Sequence, residues 1–247
     1  VYKGELKGRE IYMLYAAEVL FRLKQYDASI ALFEELRTMP GAEKFNAEVV
    51  RGIAWNHYAR SKWEEAAESF GIVAQKYPET LLHAEALLRR AESLFNNGEY
   101  DRAKAGFNVL IQEYPLHPEA FEARLLNARA DWVRGEYDRG MSNLKEALRY
   151  APDSAARQRV RITIGELLQE QGRFEDAISE YREAYLEAPK AETAPSALLK
   201  QADNLYNLAR YEESAKAYRD IIRNFPESDL AGDAQYSIGL TYFRQGR

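Results

Sequence analysis

At 247 residues, with 46% apolar and 30% charged side chains and a net charge of −5, the chain has the composition of a folded protein rather than a disordered one. It contains no run of about 18 apolar residues, which excludes a helix that spans a bilayer, and its acidic balance speaks against a nucleic-acid or anionic-membrane surface. It also lacks cysteine, so it has neither disulfides nor thiolate metal sites and is compatible with reducing and oxidising compartments alike.

Aromatic residues recur at Tyr26, Trp63, Tyr100, Tyr137, Phe174 and Tyr211, always 37 residues apart. Three positions after each comes a small residue (Ser29, Ala66, Ala103, Gly140, Ala177, Ser214), and seven after it a large apolar one (Phe33, Phe70, Phe107, Leu144, Tyr181, Tyr218). Nine before the anchors stand Ala17, Ala54, Ala91, Ala128, Gly165 and Ala202, and the step continues to Gly239. Self-similarity at this period predicts a repeat array whose units stack, rather than one globule around a single core.

The first unit, 10–46, ends early, with Pro40 one residue ahead of the register kept by Pro78, Pro115, Pro152, Pro189 and Pro226. The second, 47–83, carries Trp55 and a histidine, His57, whose simplest explanation is a tolerated polar position. The third, 84–120, displays the internal pattern: Leu87, Ala91 and Leu94 share one helical face, and Tyr100, Ala103, Phe107 and Leu110 form the next. Between them lies Asn96-Asn97-Gly98-Glu99, and glycine recurs at Gly135, Gly172 and Gly246, where a helix ending in left-handed backbone favours a residue without a side chain. Each unit is therefore a helix hairpin, stopped by junctions such as Tyr114-Pro115 and Phe225-Pro226. The fourth unit, 121–157, places Arg124, Asn127 and Asp131 on one helical face, where a structural polar network linking Arg124 to Asp131 through Asn127 is expected, since an unpaired buried carboxylate is costly. In the junctions before the fifth (158–194) and seventh units, Asp153-Ser154 and Glu227-Ser228-Asp229 offer capping side chains and acidic first turns. The sixth unit spans 195–231.

A half unit, 232–247, follows. Its apolar face (Ala234, Ile238, Tyr242) lacks the helix that would complete the hairpin, and Arg247 stops one residue before the next anchor. Val1 to Gly8 carry no charged-then-apolar leader, lipidation cysteine or initiator Met. These features predict a segment cut from a longer protein, with self-association possible through the open C-terminal half unit.

The spacing of small and aromatic residues, the Gly-x-Tyr/Phe-x-x-Ala turn and the terminal proline together resemble the tetratricopeptide repeat family over nearly the whole chain. The family's usual unit is about 34 residues, three fewer than here. Long units with junctions such as Tyr77-Pro78-Glu79-Thr80 and Phe225-Pro226-Glu227-Ser228 resemble the Tol-Pal-associated and outer-membrane-assembly members of bacterial envelopes. The resemblance implies an all-α, right-handed superhelical solenoid of six units and half of a seventh, whose first helices line a concave groove for a protein or peptide.

The outward edge of the first helices, eight residues before each anchor, reads Glu18, Trp55, Glu92, Arg129, Glu166, Asp203 and Leu240, and five before it Phe21, Tyr58, Phe95, Trp132, Gln169, Tyr206 and Phe243. Aromatics beside carboxylates suit a partner offering basic and apolar side chains, although an aromatic repeated in every unit also reads as a stacking residue and an acidic edge as a solvated face. Trp55 and Trp132 are the best single candidates for contact hot spots. The edge twelve before each anchor is mostly apolar (Leu14, Arg51, Leu88, Leu125, Ile162, Leu199, Tyr236), unlike the Lys/Asn carboxylate clamp of the family's peptide-binding members, which argues against a role in holding chaperone tails.

His57, His83 and His117 are the only histidines, and none pairs at i, i+4; with no cysteine this leaves too few ligands for a transition metal. No glycine-rich loop is followed by Lys, so no phosphate cradle is expected. The reading is a non-enzymatic scaffold without cofactor or metal, placed in a bacterial periplasm or envelope. Two alternatives keep the same fold: the recruiting arm of a larger enzyme such as a transferase, and a cytoplasmic assembly factor.

Overall fold

The computed structural model describes residues 8–246; Val1 to Lys7, on which the expectation about a leader falls, and Arg247 lie outside the described residues. Among those described there are thirteen α-helices, one 3-10 turn (Glu43–Phe45) and no strand. The chain divides into two compact units, residues 1–135 and 136–247.

The first unit holds α1 (Arg9–Arg22), α2 (Tyr26–Arg37), α3 (Asn46–Ala59), α4 (Trp63–Lys76), α5 (His83–Asn96), α6 (Tyr100–Glu113) and α7 (Pro118–Val133). The second holds α8 (Tyr137–Tyr150), α9 (Ser154–Glu170), α10 (Phe174–Glu187), α11 (Ala194–Asn207), α12 (Tyr211–Asn224) and α13 (Leu230–Arg244). Within each, every helix packs on the next in chain order, and first helices of successive repeats also touch, α1 on α3, α5 on α7 and α11 on α13. Every periodic aromatic is the first residue of a second helix.

The hairpins close where the sequence puts its smallest side chains. Ala17, Ala54, Ala91 and Ala202 on first helices and Ser29, Ala66, Ala103, Ala177 and Ser214 on second helices are at most 1% exposed. Backbones come so near that Ser29 Oγ donates to the Ala17 carbonyl at 2.8 Å, and Ser214 Oγ to that of Ala202 at 2.9 Å. Beside this crossing Phe33, Phe70, Phe107, Leu144, Tyr181 and Tyr218 are all nearly inaccessible, each such burial worth ~1.5–3 kcal/mol. Gly165 stands where the first helices α1, α3, α5, α7 and α11 have alanine because Tyr181 lies on it: a Cβ there would meet the ring at 2.6 Å.

Between the helices the residue two before the anchor is left-handed throughout. Gly98, Gly135, Gly172 and Gly246 take φ between 72° and 82°, as their type suggests, but Lys24, Ser61 and Ala209 hold the same position with φ of 60°, 57° and 57°. Hairpin closure overrides the residue's own preference there, at a cost of roughly 1–2 kcal/mol each.

Three expectations are corrected. The junctions supply caps, Asp153 Oδ1 accepting from the Ala156 N–H at 2.7 Å and Ser228 Oγ from the Leu230 N–H at 3.3 Å, but the first turn of α9 carries no acidic residue, and Asp229 makes no capping bond at α13. In the half unit, Ala234 and Ile238 are buried against α11 and α12, with Tyr242 packed beside them, because the preceding hairpin already covers that face; the apolar residues α13 exposes are Tyr236, Leu240 and Phe243. Asn127 does not link Arg124 to Asp131. It donates instead to Asn108 Oδ1 of α6 at 2.8 Å, and its own Oδ1 is buried without a donor. Asp131 pairs with Lys104, also on α6, and Arg124 donates to the Ala120 carbonyl of its own helix at 3.2 Å. The reason is proximity: α6 packs along this face and brings polar partners of its own to both Asn127 and Asp131.

Replacing Ala103 or Ala177 by Leu should overpack the crossing and cost about 1–3 kcal/mol in denaturant unfolding. Ala209→Gly, by contrast, should stabilise by up to about 1 kcal/mol, since relief of left-handed strain exceeds the added chain entropy.

Candidate interaction face

On a first helix, the residues eight and five before the anchor lie about one turn apart, so the structure presents the two columns as adjacent rows. The inner row is tied to its own hairpin. Phe21 packs on Tyr26, Tyr58 on Trp63, Phe95 on Tyr100 and Tyr206 on Tyr211, with ring centroids 5.2–5.9 Å apart. These are edge or tilted contacts, each worth ~0.5–1.5 kcal/mol beyond area burial, and they leave the four rings half-buried. Trp132 is buried, 6% exposed. Gln169, where the aromatic row is interrupted, accepts from Asn204 Nδ2 at 2.8 Å and from the Tyr181 hydroxyl at 3.3 Å.

The outer row is more varied. Arg129 is exposed. Glu92 pairs with Arg89, Glu166 with Lys200 at 3.0 Å, and Asp203 accepts from the Tyr218 hydroxyl at 2.5 Å. Burial, reinforced by Asp203, holds the Tyr218 hydroxyl above its ordinary pKa, and burial does the same for Tyr181. Tyr206 accepts from Arg244 Nε at 3.1 Å.

Trp55 is the most elaborately held of the candidates. Its ring meets Tyr58 and Phe70 edge-on at 5.3 and 5.6 Å, and the Arg89 guanidinium lies 5.2 Å from its centroid. Its indole N–H donates to Glu85 Oε1 at 2.9 Å, and the same carboxylate accepts from Arg51 at 3.3 and 3.4 Å. An indole fixed on three sides loses little rotamer freedom when a ligand arrives, the usual advantage of preorganised aromatic contacts. Tyr58 shares this environment: burial first, then the Glu92 carboxylate, pushes its hydroxyl up to about 12.

Beside Trp55, between α1 and α3, lies a cavity of ≈ 360 Å³ lined by Glu18, Phe21, Phe33, Glu48, Arg51 and Trp55. Its floor at Gly52 is glycine because the Phe33 ring occupies the place a Cβ would take, at 2.2 Å. Glu48 Oε2 is buried without a hydrogen-bond donor, and so is Arg51 Nε without an acceptor. Orphaned buried polar atoms at a cavity wall are places where a ligand atom gains a bond that the free protein lacks. Three of the candidates, Glu18, Phe21 and Trp55, thus meet in one cleft, together with Glu48 and Arg51.

Residues that the periodicity did not single out as candidates also matter. Glu85 and Arg89 organise Trp55 from the next repeat, a relation no single unit displays. Seven before the anchor runs a buried polar column, Asn56, Ser93, Asn204 and Thr241, each bonding the carbonyl four residues back; the asparagines also reach the preceding repeat, Asn56 to Ser29 and Asn204 to Gln169. The 37-residue register held that signal. His57 is part-buried, and burial lowers its pKa. Among the described residues no three His, Asp or Glu gather as a metal site, and no helix is long and apolar enough to cross a membrane.

Comparison with known proteins adds the following. Two family models, both described as Tetratricopeptide repeat, match residues 52–80 and 85–117, and 125–192 and 199–247. A search of curated proteins gave no match. Similar solved structures include TTC0263, a thermophilic TPR protein of Thermus thermophilus, at 20% identity over 80% of this chain and 99% of that one, with a TM-score of 0.54. A tetratricopeptide repeat protein from Parabacteroides merdae aligns at 13% identity over 95% and 91% of the two chains, TM-score 0.64. PilW, a widely conserved type IV pilus biogenesis factor, aligns at 16% identity over 89% and 95%, TM-score 0.64. At these identities the likeness concerns the fold.

Because the raised Tyr58 pKa favours the protonated hydroxyl in the folded state, its contribution is complete below the unfolded value near 10 and is lost as pH rises towards 12. Tyr58→Phe should therefore flatten the alkaline fall in stability over that window, measured by urea unfolding at successive pH values. Asn204→Leu should cost about 1–3 kcal/mol, because it removes two buried bonds and leaves Gln169 Oε1 with only the longer bond from the Tyr181 hydroxyl.

Proposed function

The chain belongs to the tetratricopeptide repeat family, and on that footing we propose that it is a non-catalytic scaffold that holds a protein or peptide along the faces of its first helices. The single observation that carries this reading is the Trp55 cleft. A fixed indole and the Phe21 ring supply an apolar contact, while Glu18 and Glu48 line the same space and neither has an ion-pair partner among the described residues. Arg51 is committed to Glu85. An extended segment with an apolar side chain beside a basic one fits this chemistry: the stem lies on Phe21 and Trp55 and the cation meets the carboxylates, a pairing strengthened by partial desolvation.

Glu92 on α5 in the first unit, and Glu166 on α9 and Asp203 on α11 in the second, hold the same register position as Glu18, each already engaged by a neighbour. They are read as surrounding charge that favours the approach of a basic partner rather than as anchors. The place of action is proposed as the bacterial envelope, on the junctions Tyr77-Pro78 and Phe225-Pro226 and on the likeness to PilW, whose own description is a pilus biogenesis factor. Exposed Tyr236, Leu240 and Phe243 on α13 favour self-association as a second mode of contact.

The reading is tested with Trp55→Ala, Tyr58→Ala and the charge reversals Glu92→Lys and Glu166→Lys, using cross-linking in the native cell followed by binding assays with the recovered partner. Trp55→Ala should weaken binding by about 2 kcal/mol or more, as hot-spot aromatics do, with the reversals adding a salt-sensitive loss. Undiminished binding across the set, with only the melting temperature reduced, would leave these side chains as packing and end the proposal.

A further inference from the structure

Departures from the repeat register converge on α5 at Arg90, about 100° around the helix from Arg89 and away from the Trp55 cleft. Ten residues before the anchor, Ile53, Ile164 and Ile238 are buried, while the third, fourth and sixth repeats have the polar residues Arg90, Asn127 and Gln201. Across from it, eight residues after the preceding anchor, stands Gly71, where other repeats carry Glu34, Asn108, Lys145, Arg182 and Arg219. A Cβ on Gly71 would lie 3.2 Å from Arg90 Nε, so the guanidinium rests along the bare backbone of α4. The Asn127–Asn108 bond joins the same two register positions one repeat later; there the polar pair is complete, and at Arg90 it is half made.

Arg89 and Arg102 have carboxylate partners in Glu92 and Glu99. Arg90 has no ion pair or side-chain hydrogen bond among the described residues. Two recesses meet at it. One, of ≈ 420 Å³, is bordered by Glu64 and Glu68 of α4. The other, of ≈ 300 Å³, has walls that include Leu87, Leu94, Gly106 and Val109, and its only charged residues are Arg90 and Arg102. Gly106 belongs to the same set of departures, since Leu32, Ser69, Asn143, Glu180 and Ala217 hold its position elsewhere, and any of those side chains would begin 2.9 Å from Ala91 Cβ. Nothing from α6 at this position fills the recess.

We propose that this recess is a second docking site, for a segment of a partner protein that presents an acidic side chain between apolar ones. The carboxylate meets Arg90 in a charge-assisted pair, the apolar neighbours cover Leu87, Leu94 and Val109, and a basic residue further along reaches Glu64 and Glu68. The preference is opposite in sign to that of the Trp55 cleft, so the two sites select different stretches of a partner.

The test titrates the full chain, observed by two-dimensional amide NMR, with a capped peptide carrying one glutamate between two leucines and with its glutamine counterpart. The glutamate peptide should shift resonances at Gly71, Arg90, Gly106 and Val109, and Arg90→Gln should weaken it about tenfold, the scale of one charge-assisted bond. Val109→Glu, which leaves Arg90 in place on an exposed position, should weaken it as well. Equal binding of the two peptides, binding indifferent to both variants, absence of shifts at these residues, or identical shifts with acetate alone would each overturn the proposal.

Discussion

The approach of two helices at a pair of tiny side chains is the constraint from which the rest of each hairpin follows. A hydroxyl at Ser29 or Ser214 can reach the carbonyl of the facing helix only because nothing larger than a methyl group separates the backbones. That closeness fixes the crossing, and the crossing decides where Phe33, Phe70, Phe107 and Tyr181 can be buried. It also fixes the backbone between the helices, which is why Lys24, Ser61 and Ala209 accept a left-handed conformation their side chains disfavour. Stability in such an architecture is a sum of hairpin and neighbour terms, and the neighbour terms here include polar ones, Asn56 to Ser29 and Asn204 to Gln169.

Much of the fold was legible because one period orders the whole sequence. The aromatic anchors mark the first residue of each second helix, and the small and large residues at fixed offsets mark the buried crossing. What periodicity could not give was the pairing between repeats at positions where they differ. Glu85 belongs with Trp55 and Arg51, yet 30 and 34 residues separate them, and no register column contains all three. Lys104 and Asp131 pose the same difficulty: each looks like an anomaly inside its own unit and becomes reasonable once α6 and α7 lie side by side.

The candidate face was legible in part for a related reason. Columns of residues show which side chains share a side of the helices, but a column does not reveal which of them are already spent on structure. Four aromatics of the inner row pack on their anchors, and Glu166 and Asp203 are engaged by Lys200 and Tyr218. The cleft beside Trp55 lies where the columns break, at Gly52, whose missing side chain leaves room for the Phe33 ring at its floor. Functional specificity in a repeat protein is carried by such irregularities, because whatever every unit shares is needed to build the stack.

The three left-handed turns without glycine have a consequence for how the chain would be dismantled. Lys24 is itself basic, Ser61 lies between Arg60 and Lys62, and Ala209 is followed by Arg210, so each strained turn sits at a bond that trypsin recognises. Exposed, strained loop tips are preferred sites of nicking. Limited digestion would therefore enter between paired helices at these points, as at the glycine turns flanked by Arg134 and Arg173, and the fragments would record the order in which the hairpins open.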